Sequence, residues 1–262
     1  MEETITSANH SVWSSQVAAD SYVKAAGLRP CENKLLSLAP NAFQGTQFLD
    51  LGVGAGRTTA VLLELVGPGY IGMDYSPSMA AKCRERFPKA KIVEGDARIL
   101  DGLEDGALDT IFFSAQGLDY LSHEDRLLAL STIGRKLRKG GWFIFSTHNA
   151  RVRVARPWAP SNLPRTIHPK RLVGGLGAYV RGILNWLKWS RHERATDEYV
   201  WRVDSAFNYG MVTYYIRQDR QCDQLRTAGY DVHHIVTDEG DSLGVPGDPS
   251  SSKFLYFVAS KR

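Results

Sequence analysis

The sequence contains little cysteine, and this excludes two kinds of structure. Its three cysteines, Cys31, Cys83 and Cys222, lie far apart in a chain of 262 residues, and no two of them form a Cys-x-x-Cys pair. An odd number of widely spaced cysteines is typical neither of a disulfide framework nor of a zinc knuckle. We therefore expect reduced cysteines and no bound metal.

Long apolar runs and an N-terminal cationic stretch are also missing. No run approaches the roughly 18 apolar residues of a membrane span, and the chain starts Met-Glu-Glu-Thr, with acids where a signal peptide needs cations. These absences predict a soluble, cytoplasmic protein. With 43% hydrophobic and 23% charged residues, the chain is long enough for one large domain over residues 1–262.

Strands and helices alternate through the middle of the sequence, after a mainly helical preface over residues 1–47. Short apolar runs occur at residues 48–51, 70–74, 91–94, 109–113 and 142–146. Such alternation predicts a parallel sheet covered by helices on both faces. The Gly140-Gly141 pair indicates the end of the helix before the fifth run. Only a loop joins the last two runs, 230–236 and 254–260, so we expect these to form an antiparallel pair.

Three glycines follow the first strand at every second position, in Asp50-Leu51-Gly52-Val53-Gly54-Ala55-Gly56-Arg57. Glycine lets the backbone turn sharply and lets a ligand lie against the main chain without meeting a Cβ. The helix that follows points its free N–H groups toward the same space, which favours an anion there. Because glycine-rich turns also serve purely structural purposes, this motif alone does not decide the function.

Polar residues at the ends of the following strands complete a ligand site. Asp74 ends the second strand, where a carboxylate can accept hydrogen bonds from both hydroxyls of a ribose, and Tyr75 and Met79 can cover a purine. Asp96 follows the third strand and can accept from an exocyclic amine. Ser114 follows the fourth strand at the crevice where open α/β sheets bind ligands. Together these positions predict an adenosine site.

The same residues resemble the class I S-adenosylmethionine-dependent methyltransferase superfamily, in its small-molecule branch. The resemblance covers about Leu35 to Phe145 and resumes from Tyr214 to Tyr230. It implies a Rossmann-like α/β fold with seven strands, mostly parallel, and an antiparallel last strand. It also implies S-adenosylmethionine as cofactor and S-adenosylhomocysteine as product. The contacts that it implies come from Gly52, Gly54, Gly56, Asp74, Asp96, Ala97 and Ser114, beside which Tyr75 and Met79 would cover the purine. It also implies that Asp50 orders the turn and the methionine end of the cofactor, and that Trp13 and Tyr22 close over the cofactor.

A nicotinamide-dependent dehydrogenase is the main rival at the level of the fold. Its fingerprint is Gly-x-Gly-x-x-Gly with an acid about 20 residues further on. Here Gly56 comes one place early for the third glycine, and Arg57 stands where that fingerprint needs close packing of the helix. The sequence therefore favours methyl transfer over hydride transfer.

Methyl transfer from a sulfonium is an in-line displacement, which a site accelerates largely by holding the reacting atoms about 3 to 3.5 Å apart. A base becomes useful when the acceptor is a hydroxyl, and histidine suits that role near neutral pH. His148 and His123 both follow predicted strands at the ligand-binding edge. We prefer His148, because Ser122 and the acids after His123 are typical of a helix start.

Acidic residues are scarce in one long segment. Between Arg151 and Arg194 there are ten basic residues and one acidic residue, a net charge of +9, which leaves −5 for the other residues of a chain whose total is +4. Residues 176–189 carry apolar side chains at helical spacing among basic ones, which predicts a lid helix. This helix either packs on the domain, lies on a membrane surface or walls an apolar cavity, and we favour the cavity.

We interpret residues 150–208 as a helical insertion that recognises the acceptor. The side chains that we expect to contact it are Tyr120, Asn149, Tyr179, Trp186 and Trp189. The acceptor would be a small, specialised metabolite or a sugar-like compound, and an anionic compound also fits the positive charge of the segment. Methylation would occur on oxygen or nitrogen. The sequence contains neither an RNA-binding domain nor the Asn/Asp-Pro-Pro-Tyr/Phe motif of DNA and RNA amino-methylating enzymes, so it does not indicate a nucleic-acid acceptor. The alternatives are an RNA- or protein-directed methyltransferase and a non-catalytic subunit that binds the cofactor.

Overall fold

The computed structural model describes residues 2–15, 20, 22, 26–44, 47–243 and 252–262, and helices and strands alternate in it. The helices are α1 (Glu2–Trp13), α2 (Pro30–Leu38), α3 (Thr59–Val66), α4 (Pro77–Arg86), α5 (His123–Lys136), α6 (Pro169–Trp189) and α7 (Gln218–Thr227). The strands are β1 (Phe48–Leu51), β2 (Tyr70–Asp74), β3 (Lys91–Glu94), β4 (Leu108–Phe113), β5 (Leu137–Asn149), β6 (Arg194–Ala195), β7 (Tyr199–Val203), β8 (Val212–Ile216), β9 (Tyr230–Thr237), β10 (Ser242–Leu243) and β11 (Phe254–Lys261).

Seven strands form the body of the sheet, in the order β3-β2-β1-β4-β5-β11-β9. The first five of these are parallel to one another. Strand β11 runs antiparallel to both of its neighbours, β5 and β9. The predicted Rossmann-like sheet with an antiparallel last strand is therefore confirmed, and so is the antiparallel pairing of the last two long strands.

The insertion after β5 adds strands as well as a helix. It contains α6, as the sequence predicts, and also β6 and β7, which the apolar pattern did not indicate. Strand β7 pairs with β8, and β8 pairs with the last two residues of β5, His148 and Asn149. The strands of the insertion therefore reach the end of the sheet where the predicted site lies.

Strand β5 is longer than the predicted run at 142–146. The Gly140-Gly141 pair lies inside this strand and does not end the preceding helix. Gly140 has a φ of 73°, and the register between β4 and β5 shifts near this point. Glycine pairs occur both at helix ends and at irregularities of strands, which is why the sequence pattern was misleading here.

The core consists of apolar layers on the two faces of the sheet. Neighbouring strand residues alternate between them, since Leu49 belongs to one buried cluster and Phe48 to the other. A third cluster joins Ile5 of α1 to β7 and β8, and the half-buried Trp186 and Trp189 pack against it. Among the described residues, no helix has the length and apolar character needed to cross a membrane.

Candidate active site

A cleft opens at the carboxyl ends of the parallel strands. It holds about 1140 Å³ of empty space, part of which is open to solvent. The turn after β1, the ends of β2 and β4, the residues after β3 and side chains of α1 form its walls. Open α/β sheets bind their ligands at this position.

The three glycines of the turn after β1 have different roles. Gly54 lines the cleft with a φ of 57°, and a Cβ added to it would meet no atom within 4 Å. Gly52 also lines the cleft, whereas Gly56 packs against α4, where a Cβ would lie 2.6 Å from the Phe87 ring. Gly54 therefore keeps the cleft open, Gly52 makes room for the Phe113 ring, which would lie 2.7 Å from an added Cβ, and Gly56 lets the turn pack closely against the end of α4.

Asp50 lies beneath the turn and outside the cleft walls. Its carboxylate is buried and accepts hydrogen bonds from Thr58 Oγ1 at 2.8 Å and from Tyr70 OH at 2.9 Å. Burial raises its pKa to about 7, although both hydrogen bonds oppose the rise. Asp50 thus ties the end of β1 to the start of α3. Its predicted ordering of the turn agrees with this geometry, but the side chain does not reach the ligand space.

Asp74 is held in the cleft wall by the backbone. Its two carboxylate oxygens accept N–H groups from Gly54 at 2.8 Å and from Ser76 at 2.9 Å. Burial raises the pKa of Asp74 to about 6 in spite of these two bonds. Tyr75 and Met79 line the same part of the cleft. The carboxylate is therefore oriented before any ligand arrives.

Asp96 and Ala97 form the next part of the wall. Arg98 donates to both oxygens of Asp96, at 2.6 to 3.1 Å, and also reaches Asp125 Oδ2 at 3.1 Å. Burial opposes the ionisation of Asp96, but the hydrogen bonds from Arg98 outweigh it and hold the pKa below its ordinary value. Arg98 is a cleft residue that the sequence pattern did not indicate.

An aromatic group covers the cleft from the side of α1. The Trp13 ring contacts the rings of Tyr22, Tyr120 and Phe207 at centroid distances of 5.4, 5.1 and 5.0 Å. Trp13 Nε1 is buried and has no hydrogen-bond partner among the described residues. Because a buried donor without a partner is costly, this N–H group is suited to an acceptor atom of a ligand. Trp13 and Tyr22 lie where the sequence predicts a cover.

Arg57 places a cation in the cleft. Its guanidinium donates to both carboxylate oxygens of the buried Glu32, at 2.6 and 2.7 Å, and to Ser114 Oγ at 3.3 Å. Ser114, one of the predicted residues, also lines the cleft. The sequence pattern identified Arg57 only as a mismatch with the dehydrogenase fingerprint. It could not indicate the ion pair with Glu32, because that residue lies 25 positions earlier in the chain.

His148 lies between two carboxylates at the end of β5. Its Nδ1 is 2.7 Å from Asp119 Oδ2, and its Nε2 is 3.9 Å from Asp204 Oδ2. Asp204 in turn accepts a hydrogen bond from Tyr215 OH at 2.8 Å. The His148 ring lies 6.4 Å from that of Tyr120, which lines the cleft. His148 is thus one aromatic ring away from the ligand space, and neither carboxylate was a sequence candidate.

Besides Asp50, Gly56 and His148, five more predicted residues do not line the cleft: His123, Asn149, Tyr179, Trp186 and Trp189. His123 is in the first turn of α5, where Ser122 caps the helix by accepting from Asp125 N. Its ring stacks on Tyr199 at 4.4 Å. Asn149 is buried and donates to Ser252 O at 2.8 Å. His123 thus lies at a helix start, Asn149 holds the loop before β11, Tyr179 lies in α6, and Trp186 and Trp189 pack on the third apolar cluster.

Residues 48–141 match the model of a family described as a methyltransferase domain. This segment contains the glycine turn and both cleft carboxylates, Asp74 and Asp96. The match covers just over a third of the chain and indicates a methyltransferase domain in this part of it. It agrees with the predicted resemblance to the class I S-adenosylmethionine-dependent methyltransferase superfamily, and with S-adenosylmethionine as cofactor and S-adenosylhomocysteine as product. No curated protein sequence matches the chain significantly.

Solved structures of similar fold include an S-adenosylmethionine-dependent methyltransferase from Mesorhizobium loti, with 19% identity, a TM-score of 0.59 and coverage of 88% of this chain and 98% of that one. Another is the 1,6-didemethyltoxoflavin-N1-methyltransferase of Burkholderia thailandensis, solved with 1,6-didemethyltoxoflavin and S-adenosylhomocysteine. It shows 16% identity, a TM-score of 0.58 and coverage of 100% of this chain and 90% of that one. A Haloferax volcanii putative methyltransferase, solved with the Trm112 methyltransferase activator, shows 15% identity, a TM-score of 0.52 and coverage of 96% of both chains. At these identities the similarity concerns the fold.

The cleft fits the predicted cofactor. Asp74 presents a fixed carboxylate, the Gly54 side of the wall is free of side-chain atoms, and Trp13 holds an unused donor. Carboxylates, an open glycine turn and an aromatic cover are what a ribose, an adenine and a charged amino-acid tail require.

Proposed function

We propose that this chain methylates a small-molecule acceptor and that His148 removes the acceptor's proton. One observation carries the proposal: His148, fixed by a buried carboxylate, lies one ring away from a cleft already equipped for an adenosine. A chain that only binds the cofactor has no need for an oriented histidine beside it. The cofactor supplies an electrophilic methyl group when bound.

The carboxylates of the cleft would hold the nucleoside part of the cofactor. Asp74 would accept from the ribose hydroxyls, and Asp96 from the adenine amine. Tyr75 and Met79 would cover the adenine ring, since both line the wall beside Asp74. The carboxylates of Asp74 and Asp96 are already fixed by backbone N–H groups and by Arg98, so they need little ordering on binding.

Arg57 would hold the charged tail of the cofactor. Its guanidinium lies at the cleft next to Ser114, at the start of α3, and is oriented from behind by Glu32. Its attraction to the tail would be that of a positive charge for a carboxylate, because both terminal nitrogens already donate to Glu32, Gly27 O and Ser114 Oγ. This position extends the predicted set of cofactor residues by one.

His148 would act as the general base. Asp119 accepts from Nδ1 and thereby fixes the tautomer, which leaves Nε2 to take a proton from the acceptor. The resulting imidazolium would lie between the carboxylates of Asp119 and Asp204, which stabilise its charge. Asp119 and Asp204 do not touch the acceptor in this scheme and act as positioning residues.

A small acceptor is favoured by the size and character of the cover. Trp13, Tyr22 and Tyr120 enclose the cleft from one side with aromatic rings, which suits an acceptor small enough to enter beneath them. The Burkholderia neighbour, whose fold matches along the whole of this chain, holds a heterocyclic small molecule together with S-adenosylhomocysteine. That similarity supports a small-molecule acceptor without identifying it.

Calorimetric titration with S-adenosylhomocysteine tests the first half of the proposal. We expect micromolar binding that Asp74→Ala abolishes and that Asp101→Ala, which removes an exposed carboxylate, leaves unchanged. Transfer of a labelled methyl group to separate small-molecule, RNA and protein fractions tests the second half. Label in the small-molecule fraction supports the proposal. Label only in RNA or protein would overturn it, and cofactor binding without transfer to any fraction would favour a non-catalytic subunit.

A further inference from the structure

Helix α6 exposes a continuous apolar stripe. Five of its side chains are between 45% and 71% exposed: Val173, Leu176, Val180, Leu184 and Leu187. Their spacing of three or four residues places them within about 80° of one another around the helix, over a length of about 21 Å. Ile167, just before the helix, is fully exposed and extends the same apolar surface.

The opposite face of α6 attaches the helix to the protein. A Cβ on Gly182 would lie 2.9 Å from Asn208 Oδ1, which shows how closely the backbones approach. Asn185 donates to Asn208 O at 3.0 Å, and Asn208 donates to Ala178 O at 2.8 Å. Trp186 also packs on this side, against the third apolar cluster. Packing on the domain therefore explains one face of α6 and leaves the apolar stripe without a role.

Cations flank the stripe on one side. Lys170, Arg181 and Lys188 are separated by 11 and 7 residues, so that they lie above one another along the helix. Helix α6 contains no acidic residue, and Glu193, the one acid between Arg151 and Arg194, pairs with Arg156 at 2.7 Å. The surface that α6 presents is therefore apolar along its centre and positive along its edge.

We propose that α6 docks this protein on the surface of an anionic lipid bilayer. A helix with an outward apolar face and flanking cations lies in the plane of the membrane interface, with its apolar side chains among the acyl chains and its cations at the phosphates. The stripe forms a straight ridge on a helix, which fits a flat, deformable surface. Docking of this kind is peripheral and independent of the proposed catalytic role.

A second copy of the chain is a poorer partner for this surface. Self-association through α6 would bring two segments of +9 net charge together, which costs free energy unless anions intervene. An anionic bilayer supplies opposite charge and an apolar layer at the same place. The charge of the segment therefore decides between the two occupants.

Sedimentation with lipid vesicles tests the proposal on the full chain. We expect binding to phosphatidylcholine vesicles that contain phosphatidylserine, weaker binding to phosphatidylcholine alone, and a loss of binding at high salt. The double variant Val180→Asp/Leu184→Asp should bind at least tenfold more weakly, by a rough estimate. Its matched control is Ile99→Asp/Leu128→Asp, which changes two equally exposed apolar residues elsewhere and should bind as the wild type does.

A second variant protects the test against a folding defect. Arg181→Glu/Lys188→Glu alters only exposed cations and should weaken binding to anionic vesicles by roughly tenfold or more. All variants should still bind S-adenosylhomocysteine, so a failure of docking is separate from a failure of the proposed function. Absence of wild-type binding to anionic vesicles would overturn the proposal. So would equal losses in the stripe and control variants, or a wild-type dimer that the stripe variant dissociates.

Discussion

His148 Nδ1 lies 2.7 Å from Asp119 Oδ2, and the same oxygen accepts the backbone N–H of His148 at 2.6 Å. The other oxygen of Asp119 accepts from Arg126 at 2.6 Å and from Thr147 Oγ1 at 2.7 Å. Asp119 and Arg126 are fully buried. One carboxylate therefore fixes both the ring and the backbone of the candidate base, and a buried guanidinium fixes the carboxylate.

Replacement of His148 should impair turnover far more than cofactor binding. We expect His148→Gln to lower kcat by roughly 10²-fold or more, because a general base contributes on that order. Asp119→Asn should also lower kcat, because the carboxylate that fixes the tautomer of His148 is replaced by an amide. The affinity for S-adenosylhomocysteine, measured by calorimetry, should change little in both variants, because neither side chain lines the cleft.

His123→Gln is the matched control for this prediction, because His123 is a histidine outside the cleft that stacks on Tyr199. Its turnover should equal that of the wild type. Wild-type kinetics in His148→Gln would end the role of His148 as a base.

Asp119 should also matter for stability, through Arg126. Asp119→Ala would leave a buried guanidinium without its carboxylate, and breaking a buried ion pair in this way costs about 3 to 5 kcal/mol. Asp223→Ala breaks an exposed pair with Arg226 and should change the free energy of unfolding little. Urea denaturation of the two variants measures the difference, and equal losses would contradict the role of the buried pair.

Cofactor binding should weaken at acidic pH because of Asp74. Burial raises its pKa to about 6, so in the free protein the carboxylate is ionised above that pH and protonated below it. Ribose hydroxyls donate more strongly to the ionised form, and the affinity should therefore fall as the pH drops through 6. At pH 5 it should be about tenfold weaker than at pH 7.

The Asp74→Asn variant isolates this effect. An amide does not titrate in this range, so the variant should bind S-adenosylhomocysteine weakly at pH 7 and show no further loss toward pH 5. Asp96 should not contribute, because its pKa lies below the ordinary value. A titration series between pH 5 and 8 decides the matter, and a wild-type affinity without pH dependence would remove Asp74 from the ribose contact.

The cofactor side of the site could be predicted because its residues are fixed by local patterns. Gly54 and Asp74 follow directly after strands, and the parallel sheet brings the ends of its strands to one edge. Asp119 and Asp204 could not be found in this way. Asp119 reaches His148 from 29 residues away in the sequence, and Asp204 reaches it through the pairing of β7 and β8 with β5.

The position of Trp186 could not be predicted for a different reason. An amphipathic pattern identifies a helix with two faces, but it does not tell which face meets the domain. The tryptophans of α6 pack inward on the third cluster, and the aliphatic stripe points outward. The sequence therefore predicted the helix but not the face on which its tryptophans lie.

Gly54→Ala should damage the cofactor site more than the fold. The backbone at Gly54 has a φ of 57°, so alanine is strained there by about 1 kcal/mol or slightly more, and the added methyl group faces the cleft. Gly102→Ala carries the same strain, at a φ of 74°, in a loop away from the cleft. Both variants should unfold at similarly lowered temperatures, but only Gly54→Ala should bind S-adenosylhomocysteine more weakly. Equal affinities would mean that the cofactor does not approach this backbone.

Trp13 allows a test of a buried donor in the cleft cover that has no partner among the described residues. Trp13→Phe keeps an aromatic ring against Tyr120 and Phe207 but removes the N–H group, whereas Trp13→Ala removes the cover as well. If Nε1 donates to the bound cofactor, Trp13→Phe should lose about 0.5 to 1.5 kcal/mol of binding free energy for S-adenosylhomocysteine. The free protein should become no less stable, because the donor is unpaired before binding. Trp13→Ala should lose more affinity than Trp13→Phe, since the apolar contact is then lost too. Calorimetry measures the affinity of the two variants for S-adenosylhomocysteine, and thermal unfolding measures their stability. An unchanged affinity in Trp13→Phe would show that the N–H group does not bind the cofactor.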